Sequence, residues 1–136
     1  MRIATLAPVF GALLSLAAGS AMGASQTKIE HPGNIALIEE AGGLAYRHAA
    51  SGFKLYISDR DTGGKSMCNG GCARAWIPLE VEGADTKPVG DWRILVREDG
   101  TRQWAYKGKP VYSLFHDSAE RPVGNGVEGV WHFLVP

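Results

Sequence analysis

A pattern that occurs twice at a constant spacing limits how this chain can fold. The stretches "SGFKLYISDRD" and "KGKPVYSLFHD" match at four positions. The matching pairs are Gly52 and Gly108, Leu55 and Val111, Tyr56 and Tyr112, and Asp61 and Asp117. Trp76 follows Asp61 at almost the same spacing as Trp131 follows Asp117. A sequence pattern that repeats at a constant spacing indicates a duplicated supersecondary unit. We therefore predict a pseudo-symmetric domain made of two β units, at about positions 43–81 and 92–135.

The N-terminal segment, positions 1–23, has the order of a secretory signal peptide. Arg2 precedes an apolar run to about Ala18, and small residues follow. That order is typical of a signal peptide, and the run is shorter than the roughly 20 residues of a membrane-spanning helix. We expect cleavage after Gly23 and an exported mature chain, positions 24–136, without a transmembrane helix.

The mature chain has the size and charge of one ordinary domain. Its length is enough for a single modest core. Thirteen basic and fourteen acidic residues remain after cleavage, which gives a formal charge of −1. A chain with this charge and no block of like charges does not favour nucleic acid or acidic lipid as a partner. We expect a monomer that binds no nucleic acid.

Short alternating runs of apolar and polar residues, separated by turn residues, predict a mainly β fold. In "DWRILVREDGTRQWAY", two such runs flank Asp99-Gly100, a dipeptide that favours a hairpin turn. "KGKP" predicts the next turn, because proline has no N–H to give to a ladder. "VYSLF" and "GVWHFLV" predict two further strands. We expect a small antiparallel β domain with a meander from about Trp92 to Val135.

The first part of the chain is less regular. Residues 34–40, 43–48 and 52–59 read as three strands. "CARAW" is compatible with one helical turn that Pro78 stops. Residues 80–91, which are polar and contain glycine and proline, are predicted to form a loop between the two units.

Taken in order, these segments resemble a known bacterial family. A G-x-x-[LV]-Y-x4-D segment is followed by a Gly-x-Cys-Ala-x-x-Trp-x-Pro segment and then by "DGTRQWAYKGKPVY". The combination resembles a family of bacterial secreted repeats, often described as predicted lipoproteins of unknown function with a Y-x4-D motif. The resemblance spans roughly Leu44 to Val135. It implies a secreted protein and no particular activity.

The chain departs from that family at two places. Relatives often read Trp-Pro-Pro where this chain has Trp76-Ile77-Pro78. Lipoproteins place a lipid-bearing cysteine at the cleavage site, and the two cysteines of this chain are Cys68 and Cys72. We therefore expect periplasmic or secreted localisation without a lipid anchor.

Cys68 and Cys72 permit three interpretations. Exported proteins meet an oxidising compartment, where two nearby cysteines most often form a disulfide, and Gly70-Gly71 gives the short loop its freedom. A redox-active pair would need a nearby cation to stabilise a thiolate. A metal site would need further ligands, for which Met67, His116 and His132 are the weak candidates of a copper-type set. The disulfide is favoured, and the other two interpretations stay open.

The tyrosine-aspartate pairs permit a structural and a catalytic interpretation. In the structural one, Tyr56 and Tyr112 end strands with their rings in the core, while Asp61 and Asp117 accept main-chain N–H bonds in the following turns. In the catalytic one, a carboxylate orients a phenol or acts as a base. A unique active site would rarely be built twice, which favours the structural interpretation. The tryptophans are expected to anchor the core, and they are Trp76, Trp92, Trp104 and Trp131.

These patterns predict an exported, non-enzymatic binding or structural module of the cell envelope. Its partner would be an envelope protein or a small ligand that the sequence does not identify. We predict no catalytic residue and no cofactor. The alternative is a periplasmic redox or metal-handling accessory protein that uses Cys68 and Cys72, with copper or haem as its cofactor.

Overall fold

The structure is a computed structural model of the 136-residue chain. It describes residues 27–83 and 87–136, together with positions 3–5, 8, 11, 15, 18–20 and 23. The predicted signal peptide lies mostly outside the described residues, and so do residues 84–86 of the predicted loop. We refer to residues 27–83 as the first half and to residues 87–136 as the second half.

Short antiparallel strands dominate the described residues, which confirms the predicted mainly β fold. The elements in chain order are β1 (Ile35–Glu40), β2 (Gly43–His48), β3 (Tyr56–Ser58), α1 (Gly71–Ala75), β4 (Trp76–Pro78), β5 (Trp92–Val96), β6 (Arg102–Tyr106), β7 (Lys109–Pro110), β8 (Tyr112–Leu114), a 3₁₀ turn (Val127–Gly129) and β9 (Trp131–Phe133).

The strands of the described residues form three sheets. β1 pairs with β2, and β5, β6 and β7 form a three-stranded sheet. The central sheet has the strand order β4-β8-β3-β9. Because β3 and β4 belong to the first half while β8 and β9 belong to the second, strands of the two halves alternate across it. The central sheet therefore exists only where both halves meet.

The hairpin predicted around Asp99-Gly100 is present. Trp92 of β5 lies opposite Tyr106 of β6, and the Arg97 N–H donates to the Thr101 carbonyl across the turn (2.8 Å). Both faces of β6 are covered, because four of its five residues are buried. This strand is thus the centre of its sheet rather than a surface strand.

The predicted meander from Trp92 to Val135 is wrong beyond β7. The turn after β6 consists of Lys107 and Gly108 alone, whose positive φ values (48° and 82°) suit a tight hairpin turn. Pro110 consequently lies within β7 rather than in the turn. β8 and β9 then leave this sheet and pair with β3 and β4 of the first half. Residues distant in sequence supply these partners.

Main-chain hydrogen bonds of the central sheet recur in related pairs. Tyr56 of β3 lies directly opposite Tyr112 of β8. In the first pair, the Asp59 N–H donates to the Val130 carbonyl (2.9 Å) and the Phe115 N–H donates to the Ala75 carbonyl (2.8 Å). In the second pair, the Leu134 N–H donates to the Leu55 carbonyl (2.8 Å) and the Leu79 N–H donates to the Val111 carbonyl (2.9 Å). If each residue is replaced by its counterpart in the other half, one bond of each pair becomes the other bond. The counterparts lie at the spacing of the repeated sequence pattern, to within one position.

Two apolar clusters form the core, and each takes residues from both halves. The first contains Ile35, Tyr46, Leu55, Leu79, Trp92, Trp104, Tyr106, Val111 and Leu134. The second, which lies against the central sheet, contains Tyr56, Cys68, Trp76, Tyr112, Leu114 and Trp131. All four tryptophans therefore lie in the core. In the second cluster each half supplies three residues.

Candidate functional site

The two tyrosine-aspartate motifs exchange partners. The Tyr56 hydroxyl donates to Asp117 Oδ2 (2.5 Å), and the Tyr112 hydroxyl donates to Asp61 Oδ2 (2.8 Å). Each phenol thus binds the carboxylate of the other half and not the one that follows it in its own motif. Sequence spacing alone does not reveal this exchange, because the partner is set by the pairing of β3 with β8. We call these four side chains the crossed pairs.

The second oxygen of each aspartate holds a loop. Asp61 Oδ1 accepts the Met67 N–H (2.7 Å), and Asp117 Oδ1 accepts the Val123 N–H (2.9 Å). The two bonds join equivalent positions of the two motifs, as the repeated sequence pattern requires. Both aspartates are buried, at 1% and 7% exposure. A buried carboxylate is expensive unless hydrogen-bonded, and here both oxygens of each one are bonded.

Burial makes the two phenols harder to deprotonate than an exposed tyrosine. Loss of water around the ring raises the pKa of Tyr112 to about 12, and the neighbouring Asp61 charge acts in the same direction. Burial first, and then the bond to Asp117, raises the pKa of Tyr56. Because the phenols stay neutral at physiological pH, they act as hydrogen-bond donors to the carboxylates and not as bases.

The sequence did not identify Arg97 as part of this site. It is 6% exposed, and its side chain clamps the cysteine loop. The guanidinium donates to Cys68 O (2.6 Å), Gln103 Oε1 (2.7 Å), Ser66 Oγ (2.9 Å) and Asn69 Oδ1 (3.1 Å). In the sequence, Arg97 stands at the start of the Asp99-Gly100 turn, and this position does not indicate that its side chain binds a distant loop.

Ser66 and Gln103 join Arg97 to the crossed pairs. The Ser66 and Tyr112 hydroxyls lie 2.5 Å apart, so that Tyr112 lies between Ser66 and Asp61. Gln103 is fully buried in β6 and donates to the Val111 carbonyl (2.7 Å). The cysteine loop, β6 and the central sheet are thus joined through one continuous polar network.

Cys68 and Cys72 form a disulfide, which confirms that prediction. Their Cα atoms are 5.1 Å apart, and Gly70 between them has a positive φ of 56°. α1 begins at Gly71 and ends at Ala75, and the next residue, Trp76, opens β4. The disulfide loop therefore leads directly into the central sheet.

Trp76 and Trp131 stack face to face beside the crossed pairs. Their ring centroids are 3.7 Å apart and their planes differ by 3°. Tyr56 packs edge-on to Trp76 at 5.3 Å, and Tyr112 packs edge-on to Trp131 at 5.1 Å. Each half therefore contributes one tyrosine and one tryptophan to a single group of four contacting rings.

The weak metal candidates lie in different surroundings. His132 Nε2 lies 2.7 Å from Asp59 Oδ2 on an exposed edge, and the His116 ring packs edge-on to Phe115. Met67, together with both half-cystines, lines a cavity of about 140 Å³. Within residues 27–83 and 87–136, no group of three or more His, Cys, Asp or Glu side chains is arranged to hold a metal ion.

A separate cavity of about 310 Å³ lies against the first core cluster. Tyr46, Tyr106, Asp91 and Lys107 are among its lining residues. The Tyr46 and Trp92 rings pack edge-on at 5.1 Å, and neither the hydroxyl nor the indole N–H has a hydrogen-bond partner in the described residues. Burial raises the pKa of Tyr46 to about 12. The cavity thus has the charged residues Asp91 and Lys107 in its lining, while the Tyr46 hydroxyl itself is buried.

Among the described residues, no helix has both the length and the apolar character that a bilayer crossing requires.

Comparison with known proteins bears on the second half. No curated protein and no solved structure shows significant similarity to this chain. The model of a family described as a secreted repeat of unknown function matches residues 93–134. This segment runs from β5 to the residue after β9 and includes Tyr112, Asp117 and Trp131. The resemblance to the secreted repeats of unknown function is therefore confirmed over residues 93–134.

Proposed function

We propose that this chain is an exported, non-enzymatic module that folds as two interlocked β repeats and binds a small ligand or an envelope protein. The observation that carries the proposal is the state of the crossed pairs. Both phenols and all four carboxylate oxygens are already engaged within the core. Side chains with this arrangement hold the fold together, because each phenol donates to a carboxylate of the other half and each carboxylate oxygen already accepts a bond within the fold.

The proposed repeats are residues 43–81 and 92–135. They are supported by the paired hydrogen bonds of the central sheet and by the stacking of Trp76 on Trp131. The proposed location is the periplasm or the exterior, after cleavage near Gly23. The description of the family as secreted supports export. Both cysteines are used in the disulfide, which supports a mature chain without a lipid anchor.

The cavity beside Tyr46 is the proposed ligand site. Ligand sites are concave, largely apolar and supplied with a few placed polar groups. Here Tyr46 lines the cavity together with Tyr106 and the charged residues Asp91 and Lys107. These groups suit a small polar ligand with both donor and acceptor atoms. The mature chain would bind it as a monomer.

A redox role for Cys68 and Cys72 is less well supported. Cys68 is 3% exposed, and Arg97 holds its carbonyl oxygen. A disulfide that exchanges during function needs an accessible sulfur and a leaving thiolate stabilised by its surroundings. Cys72 is half-buried beside the 140 Å³ cavity, so access to its sulfur is the quantity that must be measured.

Native mass spectrometry of the mature protein from the periplasm, with and without a thiol-alkylating reagent, tests the proposal. We expect a mass that starts after position 23, an intact disulfide and alkylation only after reduction and unfolding. A retained small molecule that is lost in the Asp91→Asn variant, and kept in a surface His116→Ala control, would support the ligand site. Rapid alkylation of the folded protein, or retained copper or haem, would instead support the redox and metal alternative.

A further inference from the structure

The two halves of this chain bury their apolar surfaces against each other. The second core cluster takes three residues from each half, and the central sheet alternates between the halves. A half without its counterpart would expose this surface and would leave a phenol and a carboxylate without their partners. Each half therefore presents a surface that is complementary to the other half.

A single segment of the chain connects the two halves. It begins after Val81, whose N–H donates to the Arg102 carbonyl (3.0 Å), and it ends in a tight turn that Val89 and Trp92 close by reciprocal bonds (3.1 and 2.8 Å). The contacts across the central sheet do not depend on this segment. They would be the same if the second half came from another molecule.

We infer that each half is a pairing surface for a second copy of this chain, so that two chains can exchange their second halves. The resulting dimer contains two complete central sheets, and every contact between the halves is formed twice. Such an exchange needs no new interface, because it reuses contacts that already exist. The closed monomer is the state at low concentration, since its halves meet within one molecule.

Pairing through the outer edges of the central sheet would be a different route to a dimer, and the structure disfavours it. At one edge, the Trp131 carbonyl already accepts the Gly126 N–H (2.7 Å), and the Phe133 N–H donates to Asn125 Oδ1 (2.9 Å). At the other edge, Pro78 has no N–H to donate. Exchange of halves is therefore the route that the sheet favours.

Shortening the connecting loop tests the inference in the full mature chain. Deleting residues 84–88 leaves three Cα–Cα steps between Val81 and Val89, a reach of about 11 Å. Val81 lies beside Arg102, whereas the turn at Val89 lies beside the Tyr106 end of β6. The length of β6 separates these points, about 13 Å along the strand alone. The shortened loop cannot let the two halves of one chain pair with each other. It can still connect two halves that each pair with a half of another chain.

An introduced cysteine pair shows whether two paired halves belong to the same chain or to different chains. Ile57 of β3 lies opposite His132 of β9, so Ile57→Cys with His132→Cys places two thiols within disulfide range across the halves. In a closed monomer this bond is intramolecular. In an exchanged dimer it joins two chains and appears as a covalent dimer on a non-reducing gel. Peptide mapping checks that Cys68 still pairs with Cys72.

We expect the shortened chain to be almost wholly a covalent dimer with the natural disulfide intact. A control in which residues 84–88 are replaced by a glycine-serine segment of equal length should stay monomeric when dilute. A folded, shortened monomer with an intramolecular bond between positions 57 and 132 would overturn the inference.

If the shortened chain does not fold, the natural-length cysteine variant decides the question. We expect its covalent dimer, linked between positions 57 and 132 of different chains, to increase with protein concentration during refolding. Intramolecular bonds alone at every concentration would overturn the inference.

Discussion

At the scale of single residues, the chain uses its polar motif to fix one packing arrangement. Hydrogen bonds of a phenol to a buried carboxylate are directional, so the crossed pairs specify which tyrosine meets which aspartate. The aspartates also hold the loops that end at Met67 and Val123. Removing one partner leaves the other buried and unpaired, which is where most of the energetic cost arises.

Gly124 offers a direct test of the packing between the halves. A Cβ added there would lie 2.8 Å from the Tyr56 ring and 2.9 Å from the Trp76 ring, both in the first half. We expect Gly124→Ala to lower the free energy of unfolding by about 1–3 kcal/mol through overpacking. Gly33→Ala is the matched control, because nothing lies within 4 Å of the added atom. Urea unfolding of both variants measures the difference, and equal stabilities would contradict this packing.

The raised tyrosine pKa values predict how stability depends on pH. An unfolded tyrosine has a pKa of about 10, whereas that of Tyr112 is raised to about 12 in the fold. The stabilisation is therefore fully present below a pH of about 10 and is lost as the pH rises towards the folded value. Denaturation curves across this range should show a decline that is smaller in Tyr112→Phe. An equally steep decline in that variant would assign the effect to other groups.

At the scale of elements, the disulfide loop depends on a side chain from another sheet. Arg97, just after β5, holds the Cys68 carbonyl and the Asn69 side chain, so the hairpin and the loop support each other. A lysine cannot reproduce this planar fork of donors. The small ring closed by the disulfide contributes on the order of 2 kcal/mol by chain entropy. The loop is therefore held by two independent constraints.

We expect Arg97→Lys to lower the free energy of unfolding by about 2–3 kcal/mol, because the lysine ammonium cannot reach all four acceptors of the guanidinium and leaves some of them unpaired. It should also increase hydrogen exchange at residues 66–70 and speed reduction of the disulfide by dithiothreitol. Arg93→Lys is the control, since Arg93 is exposed on the preceding strand, β5. Unchanged exchange and reduction in Arg97→Lys would show that the disulfide alone orders the loop.

Sequence patterns predicted the local elements better than their partners. The β5–β6 hairpin and the short helix followed from residues close in sequence, such as Asp99-Gly100. The pairing of β8 and β9 did not follow, because it depends on burial against the first half. The same limit applies to the site: the repeated motif was visible, but the exchange of Tyr56 to Asp117 required the register of β3 against β8. Arg97 and Gln103 lacked any local signal.

At the scale of the whole molecule, the two halves share their core and their central sheet. Both core clusters contain residues of both halves, and the central sheet alternates between them. From this architecture we expect a half on its own to be unstable, because it would expose the apolar surface that the other half covers.

A double-mutant cycle tests this interlocking most directly. Tyr56→Phe is combined with Asp117→Asn in one cycle and with Asp61→Asn in another, and urea unfolding gives each free energy. We predict a coupling of about 1 kcal/mol or more between Tyr56 and Asp117, and a coupling below about 0.5 kcal/mol between Tyr56 and Asp61. Stronger coupling within the motif than across the halves would contradict the crossed pairs.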